Sequence, residues 1–149
     1  MEREDARALL NATALNLGTG VVVVENSHAN DDDIVSGIGA PAENVPCEIL
    51  GFHDGIAQTT DKEGKVTDER SFLVVDLLGS DGAPYRVNIR RLTQNKGLAA
   101  KYGFLGKFSA VKAKLTALVG KTFTPTRIVS QMDETLGYRR ITEYNYTIG

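Results

Sequence analysis

The side chains best suited to chemistry in this sequence are cations and tyrosines, and most of them lie in its second half. Residues 82–132 contain ten Lys and Arg residues and not one Asp or Glu. They are Arg86, Arg90, Arg91, Lys96, Lys101, Lys107, Lys112, Lys114, Lys121 and Arg127. Residues 138–146 then add three tyrosines and two arginines. Cations neutralise phosphates and aromatic rings stack on bases, each stack contributing about 1–3 kcal/mol, so this composition favours a polyanionic partner with exposed bases.

The net charge of −2 conceals a strong asymmetry along the chain. Residues 1–81 carry 16 Asp and Glu against five Lys and Arg, whereas residues 82–149 carry 12 Lys and Arg against three Asp and Glu. Asymmetry of this kind indicates either an anionic partner or pairing of opposite charges. Both interpretations stay open: the basic half binds a ligand, or the two halves neutralise each other within one fold or across a subunit contact.

No pattern in the sequence indicates catalysis, a metal or a cofactor. The possible metal donors that lie near one another in sequence are His28, Asp31, Asp32, Asp33, His53 and Asp54. Their spacing lacks the alternate carboxylates and terminal Glu of a calcium loop, and one Cys with two His cannot supply a typical zinc cluster. There is no nucleophile elbow, and the glycines of residues 18–20 precede valines typical of a strand, where a dinucleotide fingerprint requires a helix. We therefore predict no catalytic residue, no metal and no cofactor, and expect that the protein is not an enzyme.

The elements that must position the cations and tyrosines are mostly strands. Periodicity predicts a helix over residues 4–16, a short strand at residues 21–24 and an irregular acidic connection over residues 25–46. Alternating apolar residues and turn residues then predict, in order, strands over 48–57, 71–78 and 85–91, a main helix over 97–119, and strands over 122–132 and 138–148. The apolar stripe of the main helix is formed by Phe104, Phe108, Val111, Leu115 and Leu118.

Three of these elements carry all of the candidate binding residues except Arg127, which lies in the strand predicted over 122–132. Alternation along residues 85–91 places Arg86, Asn88 and Arg90 on one side, facing solvent or ligand, and the apolar residues on the other. The lysines that recur every seven residues along the main helix, ending just beyond it, are Lys107, Lys114 and Lys121. Counting by twos along the last strand gives one shared face to Tyr138, Arg140, Thr142, Tyr144 and Tyr146. An equally weighted alternative is that these tyrosines close the core.

From Cys47 to Ile148 the chain resembles small, phage-type OB-fold single-stranded DNA-binding proteins. The resemblance rests on the two turn-linked strands over 71–78 and 85–91, the helix over 104–118, and the aromatic and basic hairpin that ends at residues 144–146. It implies a mainly β (β-rich α+β) fold, a five-stranded OB-like barrel with a helix between its third and fourth strands. Residues 1–46 would be an additional N-terminal helical arm and residues 47–149 the OB-like domain. The chain departs from the bacterial pattern because it ends without an acidic tail.

These observations together predict a sequence-independent binding protein for single-stranded DNA, with RNA as an open alternative, of the kind that serves DNA replication. The predicted nucleic-acid-binding residues are Arg86, Asn88, Arg90, Lys107, Lys114, Lys121, Arg127, Tyr138, Arg140, Tyr144 and Tyr146. A second hypothesis is a structural or assembly protein, such as a virion component, that forms homo-oligomers through its acidic and basic halves. A third is a regulator that binds another protein through an exposed strand edge.

Size and composition predict one domain in the cytoplasm. A chain of 149 residues is near the usual size of a single domain. Cys47 is the only cysteine, which suits a reducing compartment. The longest apolar runs are far shorter than the roughly 20 residues that span a bilayer, and the acidic N-terminus does not resemble a secretory signal, so we expect no membrane association.

Overall fold

The computed structural model describes residues 3–15, 21–23, 38–60, 63–135 and 137–149. Within these ranges the chain forms, in order, α1 (Arg3–Leu15), β1 (Val21–Val23), β2 (Cys47–Thr60), β3 (Val66–Gly79), β4 (Pro84–Asn88), α2 (Ile89–Leu92), α3 (Lys96–Tyr102), α4 (Phe108–Leu118), β5 (Thr122–Asp133) and β6 (Tyr138–Ile148). None of the helices in these ranges is both long and apolar enough to cross a bilayer.

Five of the strands form one antiparallel sheet in the order β4-β3-β2-β5-β6, and β1 pairs in parallel with β2. The predicted β-rich fold with a few helices is therefore confirmed. In the part of the chain that the structure describes, the two outermost strands, β4 and β6, do not pair, so the sheet is open and strand pairing does not close the predicted barrel.

Two hydrogen bonds join β6 to the segment that follows β4. The Tyr146 hydroxyl on β6 donates to the Leu92 carbonyl at the end of α2 over 2.7 Å. Asn95 Nδ2, just before α3, donates to Asn145 Oδ1 over 2.8 Å. These two hydrogen bonds hold the segment that follows β4 against the last strand.

The main core lies on the side of the sheet predicted to be apolar. On β3, Leu73, Val75 and Leu77 are buried there, as their spacing predicts, because successive side chains of a strand point to opposite faces. The other buried members are Cys47, Ile49, Val87, Ile89, Leu92, Ala99, Phe104, Val111, Leu115, Phe123, Tyr144 and Tyr146. This cluster joins all five strands of the antiparallel sheet to α2, α3 and α4.

The single helix predicted over residues 97–119 is two helices, because glycines interrupt it. Gly103 ends α3 in the left-handed conformation, with φ of 78°, and its N–H bonds back into the last turn of that helix. Gly106 also has a positive φ of 115°. The break turns Phe108, predicted to lie in the apolar stripe, to a position where 40% of its surface is exposed.

The strand predicted over residues 85–91 ends three residues early. Asn88 has extended backbone and its side-chain Oδ1 accepts from the Arg90 backbone N–H over 3.0 Å, which caps α2. Asn is a favoured capping residue because its short side chain reaches the first free N–H groups of a helix. Arg90 and Arg91 consequently lie on a helical turn.

The described parts of the predicted N-terminal arm pack on the sheet. α1 and β1 confirm the predicted helix and short strand. Ala6 and Leu10 of α1 pack against Leu50 on the side of the sheet opposite the main core. A bulge in β2 between Ile49 and Gly51 leaves Leu50 without a paired residue on β3. Because of this bulge the Leu50 side chain points toward α1. Most of the connection predicted over residues 25–46 lies outside the described residues.

Candidate nucleic-acid interface

The outer face of the sheet, opposite the main core, is where the alternation of β4 places Arg86 and Asn88. Both side chains are fully buried, so the prediction that they face solvent or a ligand is wrong for the conformation described. The reason is that α1 packs on this face and contacts both β3 and β4. Alternation correctly separates the two sides of β4, but it does not reveal which element covers the polar side.

Arg86 is held by a buried ion pair and by the backbone of α1. Its Nε donates to Asp76 Oδ1 on β3 over 2.9 Å, and its Nη2 donates to the Leu10 carbonyl over 2.6 Å. His53 on β2 contacts the second carboxylate oxygen of Asp76. One charged cluster thus crosses three adjacent strands directly beneath α1.

A small, half-open pocket of about 100 Å³ is lined by residues of both α1 and this part of the sheet. Its polar lining comes from Arg7 and Asn11 on α1 and from His53 and Asp76 on the sheet. The packing of α1 on the outer face is therefore incomplete at the point where the charged cluster lies.

Two buried donors on the outer face of β4 have no acceptor among the described residues. They are Arg86 Nη1 and Asn88 Nδ2. Asn88 uses its carbonyl oxygen to cap α2, which leaves its amide nitrogen without a partner there. Buried donors without an acceptor are uncommon and costly, by about 1–3 kcal/mol each, so their presence together marks this face as polar and incompletely satisfied.

Arg90 is the member of the predicted trio that is exposed. Its guanidinium carbon lies 6.0 Å from the centre of the Phe72 ring, at the outer limit of a cation–π contact. Phe72 is half-buried at the start of the described part of β3. The pair combines a cation with an aromatic ring, and sequence reasoning missed Phe72 because its partner Arg90 lies 18 residues further along the chain.

Tyr144 and Tyr146 are core residues, with 2% and 1% of their surfaces exposed. The Tyr146 ring lies 5.4 Å from that of Phe123 and 5.8 Å from that of Tyr102, centre to centre. Burial, with the neighbouring Tyr102 and Tyr144, raises the pKa of Tyr146 well above its ordinary value. The predicted stacking surface is thus wrong for both residues, and the alternative that they close the core is confirmed.

A register shift in the β5–β6 hairpin explains why counting by twos failed. Val129 pairs with Glu143 but Ser130 pairs with Ile141, so Thr142 is an extra residue. One extra residue reverses the faces of everything beyond it. Arg140 is exposed while Tyr144 is buried, and the side chain of Tyr138 lies outside the described residues.

The arginines of the hairpin have acidic neighbours. Arg127 Nε donates to Glu143 Oε2 over 3.0 Å, and this bond, together with one from Asn145, lowers the pKa of Glu143. Arg140 lies 3.7 Å from Asp133 across the hairpin. Both arginines are exposed, but each already has a partial counter-charge.

Five exposed lysines of α3, α4 and their flanking residues form what we call the lysine set: Lys96, Lys101, Lys107, Lys114 and Lys121. No carboxylate in the described part of the chain pairs with any of them. Lys112, on the same helix, differs because its Nζ lies 2.9 Å from Asp54 Oδ1. Lys107 and Lys114 lie two turns apart, about 10 Å along the helix axis. The lysine set is the part of the predicted basic surface that is neither buried nor neutralised.

An open cleft of about 540 Å³ lies between the β5–β6 hairpin and the segment before α3. Gln94 forms one wall and is fixed at both ends, because its Oε1 accepts from Arg91 Nη1 over 2.8 Å and its Nε2 donates to the Ile141 carbonyl over 2.8 Å. Arg140 lines the opposite wall beside Met132, of which 54% is exposed. No sequence pattern predicts this cleft, because its walls come from segments almost 40 residues apart.

Comparison with known proteins does not identify the chain. No protein-family model, no curated protein and no solved structure matches it. Any assignment of function rests on the site itself.

Proposed function

We propose that this chain is a sequence-independent single-stranded DNA-binding protein built on an OB-like, partly open barrel. The observation that carries the proposal is the lysine set, a group of exposed cations without carboxylate partners in the described part of the chain. Single-stranded nucleic acid is the polyanion that suits such a surface, because sequence-independent binding depends mainly on neutralised phosphates.

The architecture supports the barrel part of the proposal. Five antiparallel strands with their helices between the third and fourth follow the plan of the OB-fold, which is itself partly open. The hydrogen bonds from Tyr146 to Leu92 and from Asn95 to Asn145 attach the segment that follows β4 to β6, which supports a partly open barrel.

The charge distribution supports the ligand part. Two cations of the basic half do match carboxylates of the acidic half, Arg86 with Asp76 and Lys112 with Asp54. The lysine set is not matched in this way. Internal neutralisation of the two halves is therefore incomplete within the described residues, where the lysine set stays exposed and unmatched.

Burial of Tyr144 and Tyr146 has a consequence for the type of binding. Without these two rings, stacking contributes less, and counterion release must supply most of the affinity. On a single strand the logarithm of the affinity falls with the logarithm of the salt concentration by about 0.7 per neutralised phosphate. Five lysines would give a slope of up to about −3.5, so binding should weaken steeply with salt.

The test is fluorescence anisotropy of a labelled oligo-dT, titrated at several salt concentrations between about 50 and 200 mM. A variant with Lys107, Lys114 and Lys121 all replaced by Ala is expected to bind more weakly and to lose about 2 from the salt slope. The matched control is Lys112→Ala, on the same helix but already paired with Asp54, which should leave the slope unchanged. No binding of oligo-dT by the unaltered protein at low salt would refute the proposal.

The assembly hypothesis makes a different prediction. Sedimentation of the protein alone at low salt should then give large, salt-sensitive species, because charged halves of neighbouring copies attract each other. A monomer or small oligomer that shifts only when oligo-dT is added favours nucleic-acid binding.

A further inference from the structure

α1 covers the face of the sheet that carries the unsatisfied donors. Among the residues whose side chains the structure describes, its buried apolar contact consists of Ala6 and Leu10 packed against Leu50, flanked by the partly buried Ile38 and Leu78. This cluster is separate from the main core, for which the described side chains alone supply 15 buried residues. Elements with few buried apolar contacts open more readily than the core.

The only hydrogen bond described from a side chain of the sheet to α1 is the one from Arg86 Nη2 to the Leu10 carbonyl. Nearby, Arg86 Nη1 and Asn88 Nδ2 have no acceptor among the described residues. Within the described residues, α1 therefore supplies one acceptor where the side chains of β4 offer at least three donors. A phosphodiester backbone with its bases supplies many acceptors, so it satisfies this face better than α1 does.

We propose that the outer face beneath α1 is a masked binding surface for a single-stranded polynucleotide, which α1 occupies in the free protein and leaves when the strand binds. This inference rests on the proposed function and adds a second surface to the lysine set. Arg86, freed from the Leu10 carbonyl, would donate Nη1 and Nη2 to phosphate or base oxygens. Its bond to Asp76 would hold the guanidinium in place.

Two neighbours of this face, the exposed Arg90 and the half-buried Phe72, support its use by a polynucleotide strand. Arg90 with Phe72 lies at the other end of the same face, where a base could stack beneath a cation. The cavity beside His53 shows that α1 fits the face incompletely. A competing helix lowers the apparent affinity by the fraction of time that the face is open, so releasing it should tighten binding.

Two variants of α1 provide the first test. Leu10→Asp places a charge in the buried contact, whereas the control Leu9→Asp changes the preceding residue, which is 43% exposed. If α1 leaves the face open about a tenth of the time, Leu10→Asp binds oligo-dT about tenfold more tightly than the unaltered protein, and Leu9→Asp does not. Ala6→Asp, at a fully buried position of the same helix, should act like Leu10→Asp.

The second test needs no variant. Hydrogen exchange of the unaltered protein, saturated with oligo-dT, should become faster in the amides of α1, because the helix has left the sheet. The side-chain NMR signal of His53, one of two histidines in the sequence, should shift on the same addition. A double-stranded oligonucleotide serves as the control ligand.

The outcomes separate this inference from the proposed function. If the unaltered protein binds oligo-dT, but α1 exchange does not change and His53 does not shift, the masked surface is refuted and the lysine set stands. Equal affinity of folded Leu10→Asp and Leu9→Asp refutes it as well. If no form of the protein binds, both proposals fail. Should the Asp variants of α1 not fold, the exchange and NMR measurements on the unaltered protein decide.

Discussion

Removal of the Asp76 carboxylate is the sharpest test of how the polar cluster beneath α1 is held. Arg86 Nε and Asp76 Oδ1 are 2.9 Å apart, with 0% and 5% of the two side chains exposed. Asp76→Ala leaves a buried guanidinium without its counter-charge. Breaking a buried pair in this way costs about 3–5 kcal/mol, and we expect the lower end because the Leu10 carbonyl still accepts from Arg86.

The chain offers a control with nearly the same geometry. Arg127 Nε and Glu143 Oε2 are 3.0 Å apart, but 63% and 43% of these side chains are exposed. Exposed pairs contribute little, because water and salt screen the attraction and both side chains lose rotamer freedom. Glu143→Ala should therefore leave the free energy of unfolding unchanged within the error of the measurement.

Urea unfolding followed by circular dichroism measures both variants. With a denaturant slope of about 2 kcal/mol per molar urea, a loss of about 3 kcal/mol lowers the midpoint by about 1.5 M. Replacing Asp76 and Arg86 together by Leu and Met should recover much of that loss, since no charge is left buried. Equal midpoints for Asp76→Ala and Glu143→Ala would refute the reasoning, because burial is the chief difference between the two pairs.

Three further predictions concern other parts of the fold. Burial, with Asp81 nearby, raises the pKa of the Cys47 thiol to about 12, so thiol reagents should modify it at neutral pH only after unfolding. Gly103→Ala should destabilise the fold by about 1–2 kcal/mol in urea unfolding, because φ is 78° and the new methyl group meets the Lys114 side chain, whereas Gly97→Ala should be neutral or stabilising. The hydrogen bond to Asp81 raises the pKa of Tyr85 to about 12, and burial raises the pKa of Tyr146. Because both phenols keep their protons more tightly in the folded state, the stability that these shifts contribute is fully present below pH about 10 and is lost as the pH rises further. Phenolate absorbance that develops at the same pH in native and urea-unfolded protein would contradict this last prediction.

Local pattern was sufficient for most of the fold. The alternation of Leu73, Val75 and Leu77 identified a core strand, and the spacing in residues 4–16 identified α1. The break between α3 and α4 coincides with the positive φ angles of Gly103 and Gly106. The sequence alone does not predict it, because isolated glycines inside an apolar stripe do not by themselves end a helix.

The candidate site was less predictable, for reasons of tertiary structure. The exposure of Arg86 depends on whether α1 packs on β4, and no local pattern in either segment specifies that contact. Whether Tyr144 and Arg140 lie on the same face depends on a bulge at Thr142, and no Gly, Pro or Asn at that position indicates a bulge. The lysine set was predicted in part because Lys107 and Lys114 lie on a helix surface, where periodicity alone decides exposure.

One edge of β2 pairs with β3, and its other edge is divided between β5 and β1. Cys47 and Glu48 pair with β5, the Ile49 amide donates to the Lys121 carbonyl, and residues 54–56 pair with β1. A long strand with a bare edge invites addition of a strand from another molecule, which begins aggregation. The three valines of β1 therefore protect this edge of β2 from pairing with a strand of another molecule. A chain shortened past Val23 should associate more readily at high concentration, even if its core folds as before.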